Sequence, residues 1–249
     1  MELFTTLMLL SALGLITSCI TAMVGMGGGL LLLAALPGIL PANAIIPVHG
    51  TVQLSSNFSR WLFGIKYTCI RPLLFFLAGS IAGTLFGARL LRYIDVAIIP
   101  VTTSIFILFI LWTPISSVLK KIPGRYVSLG AVQTSMSLYV GATGPLSTSL
   151  LFKEGYHPDQ VIVTNAAINT VVNVAKIVVF TSLGFVFKDY LPHIMATSIF
   201  AIAGSYVGTL FREKINDDLG RVVLKIVISI LCIKNITYFA IENGWLNFI

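Results

Sequence analysis

Carboxylates are scarce in this chain. Nine Asp and Glu stand among 249 residues, and charged residues of both signs together make up only 10%. A soluble domain carries nearer a quarter, so a surface built to face water all round is excluded. Metal-type clusters are missing as well: Cys19, Cys69 and Cys232 are widely spaced, and His49, His157 and His193 stand alone, the last two beside Pro158 and Pro192. "PLSTS" and "HGTVQ" do not assemble a Ser–His hydrolase either. An intramembrane enzyme is therefore the weakest reading of the chain, and no catalytic group, metal or cofactor is expected.

What is abundant is apolar sequence, 57% hydrophobic residues at a mean hydropathy of +0.96. Stretches such as Leu3–Val24, Leu73–Leu91 and Val96–Leu119 reach the roughly 20 residues that cross a bilayer as a helix. Short alternating segments are absent, so the class is an all-α integral membrane protein, a single domain over 1–249 with the lipid bilayer as its main partner. The net charge of +7 does not point to nucleic acid. The basic residues sit singly or in pairs at span ends, where snorkelling and loop bias explain them. "ITSC" at Ile16–Cys19 resembles a lipoprotein processing box, but "MELF" offers no basic leader, so Leu3–Val24 is expected to stay as a span.

The chain repeats itself. "AGSIAGTLF" at Ala78–Phe86 returns as "AGSYVGTLF" at Ala203–Phe211, and "GMGGGL" at Gly25–Leu30 aligns with "GATGPL" at Gly141–Leu146. The halves run over about 1–119 and 126–249, joined by "KKIPGR" at Lys120–Arg125. If each Gly-broken segment crossed once, basic residues would divide seven against six across the membrane. If its arms dip in and return, the division becomes ten against three, which the positive-inside rule prefers. Each half then holds five short and long helices, against four with a single crossing, so 8–10 membrane helices are expected, in inverted repeats with both termini outside.

Two features carry chemistry. Gly25, Gly27, Gly28 and Gly29 break an apolar region, where irregular backbone is tolerated only if buried or lining a cavity. The helix restarting behind them would offer free N–H groups and a partial positive charge to an anion. The counterpart at Gly141–Pro145 adds Thr143 and Gly144. The second feature is a polar stripe at helical spacing: His49, Gln53, Asn57 and Arg60, matched at a shift of 116 by Asn165, Asn169, Asn173 and Lys176. Facing lipid, such residues would cost several kcal/mol together, so they are expected to face the interior. Arg60, Lys176 and His49 have no Asp or Glu inside their helices. Cations buried without a protein counter-ion, set among amides, read as a receptor for a small anion. His49 is the only obvious titrating group in the stripe, so proton coupling through it and simple potential-driven flux both remain open.

Together "GMGGGLLLL", "PANAIIPVHGT" running into a Ser/Asn-rich helix with a basic end, and "AGSIAGTLFGARLL" resemble the sulfite exporter TauE/SafE family of membrane transporters. The resemblance implies secondary transport of a small sulfur-containing anion (sulfite, sulfonate or a related organosulfur compound), usually outward across the bacterial inner membrane. It also implies substrate-binding roles for Gly25, Gly27, Gly28, Gly29, Thr51, Asn57, Arg60, Gly141 and Gly144. The sequence departs from the family pattern at "GATGP", where a fuller glycine run is expected, and at His49, where a small residue is expected. A passive anion channel would use the same lining; saturation and counterflow separate the two. The anion, the direction and whether the chain forms a homo-oligomer stay open at this level.

Overall fold

The computed structural model describes residues 2–113, 122–211 and 217–243, and no strand forms among them. Lys120 and Lys121 of the linker, and the loop charges Arg212, Glu213 and Lys214, lie outside the described residues. Ten α-helices follow one another among the described residues: α1 (Glu2–Val24), α2 (Gly28–Ala35), α3 (Ala42–Phe63), α4 (Ile70–Leu91), α5 (Ile99–Trp112), α6 (Arg125–Val140), α7 (Gly144–Lys153), α8 (Pro158–Ser182), α9 (Leu191–Phe211) and α10 (Asp217–Glu242). Among the described residues five segments are long and apolar enough to cross a membrane: Phe4–Val24, Ile70–Leu91, Pro158–Ser182, Phe187–Phe211 and Val222–Glu242. Helix α3 has the length, at 22 residues, but carries the polar stripe. The outer faces are apolar, as with Ile81, Leu85 and Phe86 on α4 and Ile199 and Leu210 on α9, all exposed. Such a surface suits hydrocarbon rather than water, and the molecule is a multi-pass membrane protein.

The glycine breaks are tight reversals. Gly25 and Gly27 adopt positive φ (85° and 98°), and Gly141 does the same at 77°. Chain reversal follows, because α2 folds back along α1 with Gly28 seated against the carbonyl of Thr17. In the second half, α7 returns along α6. There Thr143 Oγ1 donates to the Gln133 carbonyl (3.2 Å) and Gln133 Nε2 to Ser147 Oγ (3.2 Å).

Close packing of α1 on α9 and of α4 on α6 is set by small residues. A Cβ at Gly79 or Gly83 of α4 would strike backbone atoms of Val127 and Ala131 on α6, while Gly204 and Gly208 of α9 meet Leu15 and Cys19 of α1 in the same way. Backbones this near are the usual outcome of glycines one turn apart in membrane helices. Between the two pairs lie α3 and α8, antiparallel: Gly50 touches Lys176, Gly64 touches Val163, and the Cys69 N–H reaches Thr164 Oγ1 at 2.9 Å.

Candidate functional site

Helices α3 and α8 turn their polar stripes toward each other, and the two reversals close the space between them. The cavity so formed offers about 50 Å³. On this measure one water needs ~10–15 Å³, so the space holds a few waters or one small ion. From the first reversal come Gly25, Gly27 and Gly29; from the second, Gly141, Thr143 and Gly144. His49, Gln53 and Asn57 of α3 line it, as do Asn165, Asn169, Asn173 and Lys176 of α8. Among the described residues no Asp or Glu lines the cavity, and no group of His, Cys, Asp and Glu is placed to hold a metal.

Three residues of the sequence expectation are placed elsewhere. Gly28 is used for packing on Thr17 and Thr21. Thr51 Oγ1 donates to the carbonyl of Pro47, one turn back in its own helix, at 3.0 Å. Arg60 stands one turn behind Asn57, between α3, α1 and α9. Its Nη2 donates to Ser56 Oγ (2.9 Å) and Ser205 Oγ (3.5 Å), and Ser56 in turn bonds Ser18 at 2.9 Å.

Lys176, in the equivalent register, does the opposite and reaches the cavity. Its Nζ donates to the carbonyl of Gly141 and to Asn173 Oδ1 (3.1 Å). Gly141 ends α6, so the cation rests on the carbonyl end of a helix, where the macrodipole favours positive charge. The N-termini of α2 and α7 open onto the same space through Gly27, Gly29, Thr143 and Gly144, presenting the opposite sign. His49 Nε2 is 3.0 Å from the Gly29 carbonyl, which makes Nε2 the donor, and Nδ1 has no hydrogen-bond partner among the described residues.

Thr21, Met26, Leu30, Ala142, Pro145 and Val172 also line the cavity and are not among the residues the sequence marks for binding. Met26 and Ala142 sit inside the two glycine breaks, so the breaks themselves were the signal. Thr21 enters only because α2 folds back on α1, which no local pattern reveals. The arrangement supplies N–H donors, one amine and no carboxylate, and it can hold a small anion.

A model of the family described as Sulfite exporter TauE/SafE matches residues 10–235 of the chain. No curated protein and no solved structure gives a significant match.

Proposed function

The chain belongs to the sulfite exporter TauE/SafE family, a family of membrane transporters for sulfite-type anions, and on that premise we propose that it is a secondary transporter exporting a small sulfur oxyanion across a bacterial inner membrane. The observation that carries the reading is the composition of the central cavity: two helix N-termini, five side-chain amides and Lys176, with no acid among the described lining residues. An anion entering it meets an amine and two helix N-termini of matching sign, whereas a cation would find no carboxylate among the described lining residues. A cell interior that is negative expels each negative charge with roughly 2.3 kcal/mol per 100 mV, so export needs no further coupling.

The halves are read as inverted repeats, 1–119 and 126–249, within one domain. The antiparallel course of α3 and α8, and the exchange of partners between α1–α9 and α4–α6, support that reading. In such an arrangement the substrate site sits between the repeats near the membrane midplane, and the half-helices can swing to open it to either side. Binding roles are assigned to the thirteen expected residues that line the cavity.

Sulfite flux into proteoliposomes tests the assignment, with thiosulfate, taurine, sulfoacetate and chloride for comparison. Saturable sulfite flux with counterflow is expected, falling at least about tenfold in Lys176→Gln through loss of the one amine in the lining. Linear flux without counterflow would replace the carrier by a channel, and no flux of any anion would remove the function.

A further inference from the structure

An amide side chain carries both a donor and an acceptor, so a wall of Asn and Gln is by itself indifferent to the sign of its guest. Here the indifference is removed, and the residues responsible stand at the far ends of the stripes. Arg60 Nη1 lies 3.1 Å from the outer atom of Asn57. A guanidinium has no acceptor, so that atom is the amide oxygen, Oδ1. The Asn57 Nδ2 is then directed to the Gln53 carbonyl (2.8 Å) and toward Gln53 Oε1 (3.4 Å). With its oxygen engaged, Gln53 has Nε2 left to offer.

The second half reaches the same end by a different route. Lys176 Nζ takes Asn173 Oδ1 at 3.1 Å. Ser147 Oγ and Asn169 Nδ2 both donate to Asn165 Oδ1, at 2.6 and 2.9 Å. Four of the five lining amides thus have their oxygens occupied by protein donors; the Asn169 oxygen is the exception among the described residues. Arg60 and Lys176 are 1% and 2% exposed, so water does not compete for these contacts.

We propose that Arg60 and Lys176 set the polarity of the lining: by occupying the oxygens of Asn57 and Asn173 they leave the amide nitrogens of Gln53, held through Asn57, and of Asn173 as N–H donors toward the cavity, which favours oxyanions over cations. Arg60 does this without lining the cavity, as a positioning residue acting through Asn57 and Gln53. The inference rests on the reading that the cavity binds a small oxyanion, and it adds how the sign of the guest is chosen.

Two readouts on one set of variants separate the inference from the transport assignment. One is thermal stabilisation of the purified protein by sodium sulfite over equimolar sodium gluconate; the other is sulfite flux in proteoliposomes. Arg60→Gln puts a group that can donate or accept behind Asn57, so the amide is free to flip. Half-saturating sulfite is expected to rise about tenfold in Arg60→Gln with the maximal rate within about twofold, the pattern of weakened ground-state binding. Arg60→Lys keeps a donor-only group and is expected to recover most of that loss. Should Arg60→Gln fail to fold, Asn57→Asp serves. It has the shape of the wild-type residue and can pair with Arg60, but it has no N–H to hold Gln53 Oε1, so Gln53 turns its nitrogen to the aspartate and its oxygen to the cavity, and sulfite should no longer stabilise the protein.

Wild-type affinity in Arg60→Gln or Asn57→Asp, or equal impairment in Arg60→Lys and Arg60→Gln, would overturn the inference. So would a wild-type protein that sulfite does not stabilise. Stabilisation that follows the predicted order without any flux would uphold the inference and remove the transport assignment.

Discussion

Arg60 and Lys176 occupy the same register in the two stripes, yet one is turned to Ser56 and to Ser205 of α9 and the other reaches the cavity. The spacing shows that both are interior, and it cannot show this divergence. What decides it is the neighbour across the helix pair. Lys176 can lie along α3 because Gly50 has no side chain: a Cβ there would stand 3.1 Å from Lys176 Cδ, tight enough to push the chain aside. Gly50→Ala should therefore weaken sulfite binding while leaving thermal stability equal or higher, since alanine is the better helix former by about 1 kcal/mol. In a Lys176→Gln background the same change should add little, because the two residues act through one contact. A full additional loss in the double variant, measured as half-saturating sulfite, would mean that Gly50 serves something other than the lysine.

At the level of helices, the nine-residue repeat was plain in the sequence as a duplication, but its purpose was not. Its glycines bring α4 onto α6 and α9 onto α1, and both contacts cross between the halves. Sequence self-comparison pairs α4 with α9; only the assembled molecule shows that each packs on the other half's first helix. The consequence is steric. Gly83→Leu would drive a side chain into the backbone of Ala131, and overpacking of this kind costs about 1–3 kcal/mol or more where backbone must shift. The same leucine at Ala82, exposed one residue away on the lipid side, has room. Gly83→Leu and its counterpart Gly208→Leu are expected to lower the unfolding temperature in detergent and the yield of monodisperse protein. Ala82→Leu is expected to do neither, and a matching loss there would transfer the effect from the helix contact to the lipid face.

For the molecule as a whole, loop charge is the quantity in the sequence that speaks to topology. It prefers arms that dip and return, and α2 does fold back on α1 and α7 on α6; which membrane face each arm meets is a separate matter, and Lys120, Lys121, Arg212 and Lys214, which weigh in that count, lie outside the described residues. Sidedness follows from the same geometry and gives a direct test of the inverted-repeat reading. Lys66 follows α3 and Lys188 follows α8, so the two are in equivalent loops of the two halves, and both are exposed. Because α3 and α8 are antiparallel, these loops lie at opposite ends of a 25-residue helix, a separation of about 37 Å at 1.5 Å per residue. With Cys19, Cys69 and Cys232 replaced by serine, Lys66→Cys and Lys188→Cys should react with a membrane-impermeant maleimide from opposite faces, Lys188→Cys from outside intact cells and Lys66→Cys only in inverted vesicles. Repeats related by an axis along the membrane normal would label both positions from one face. That result would rule out the exchange of inward- and outward-facing half-helices on which the proposed export depends.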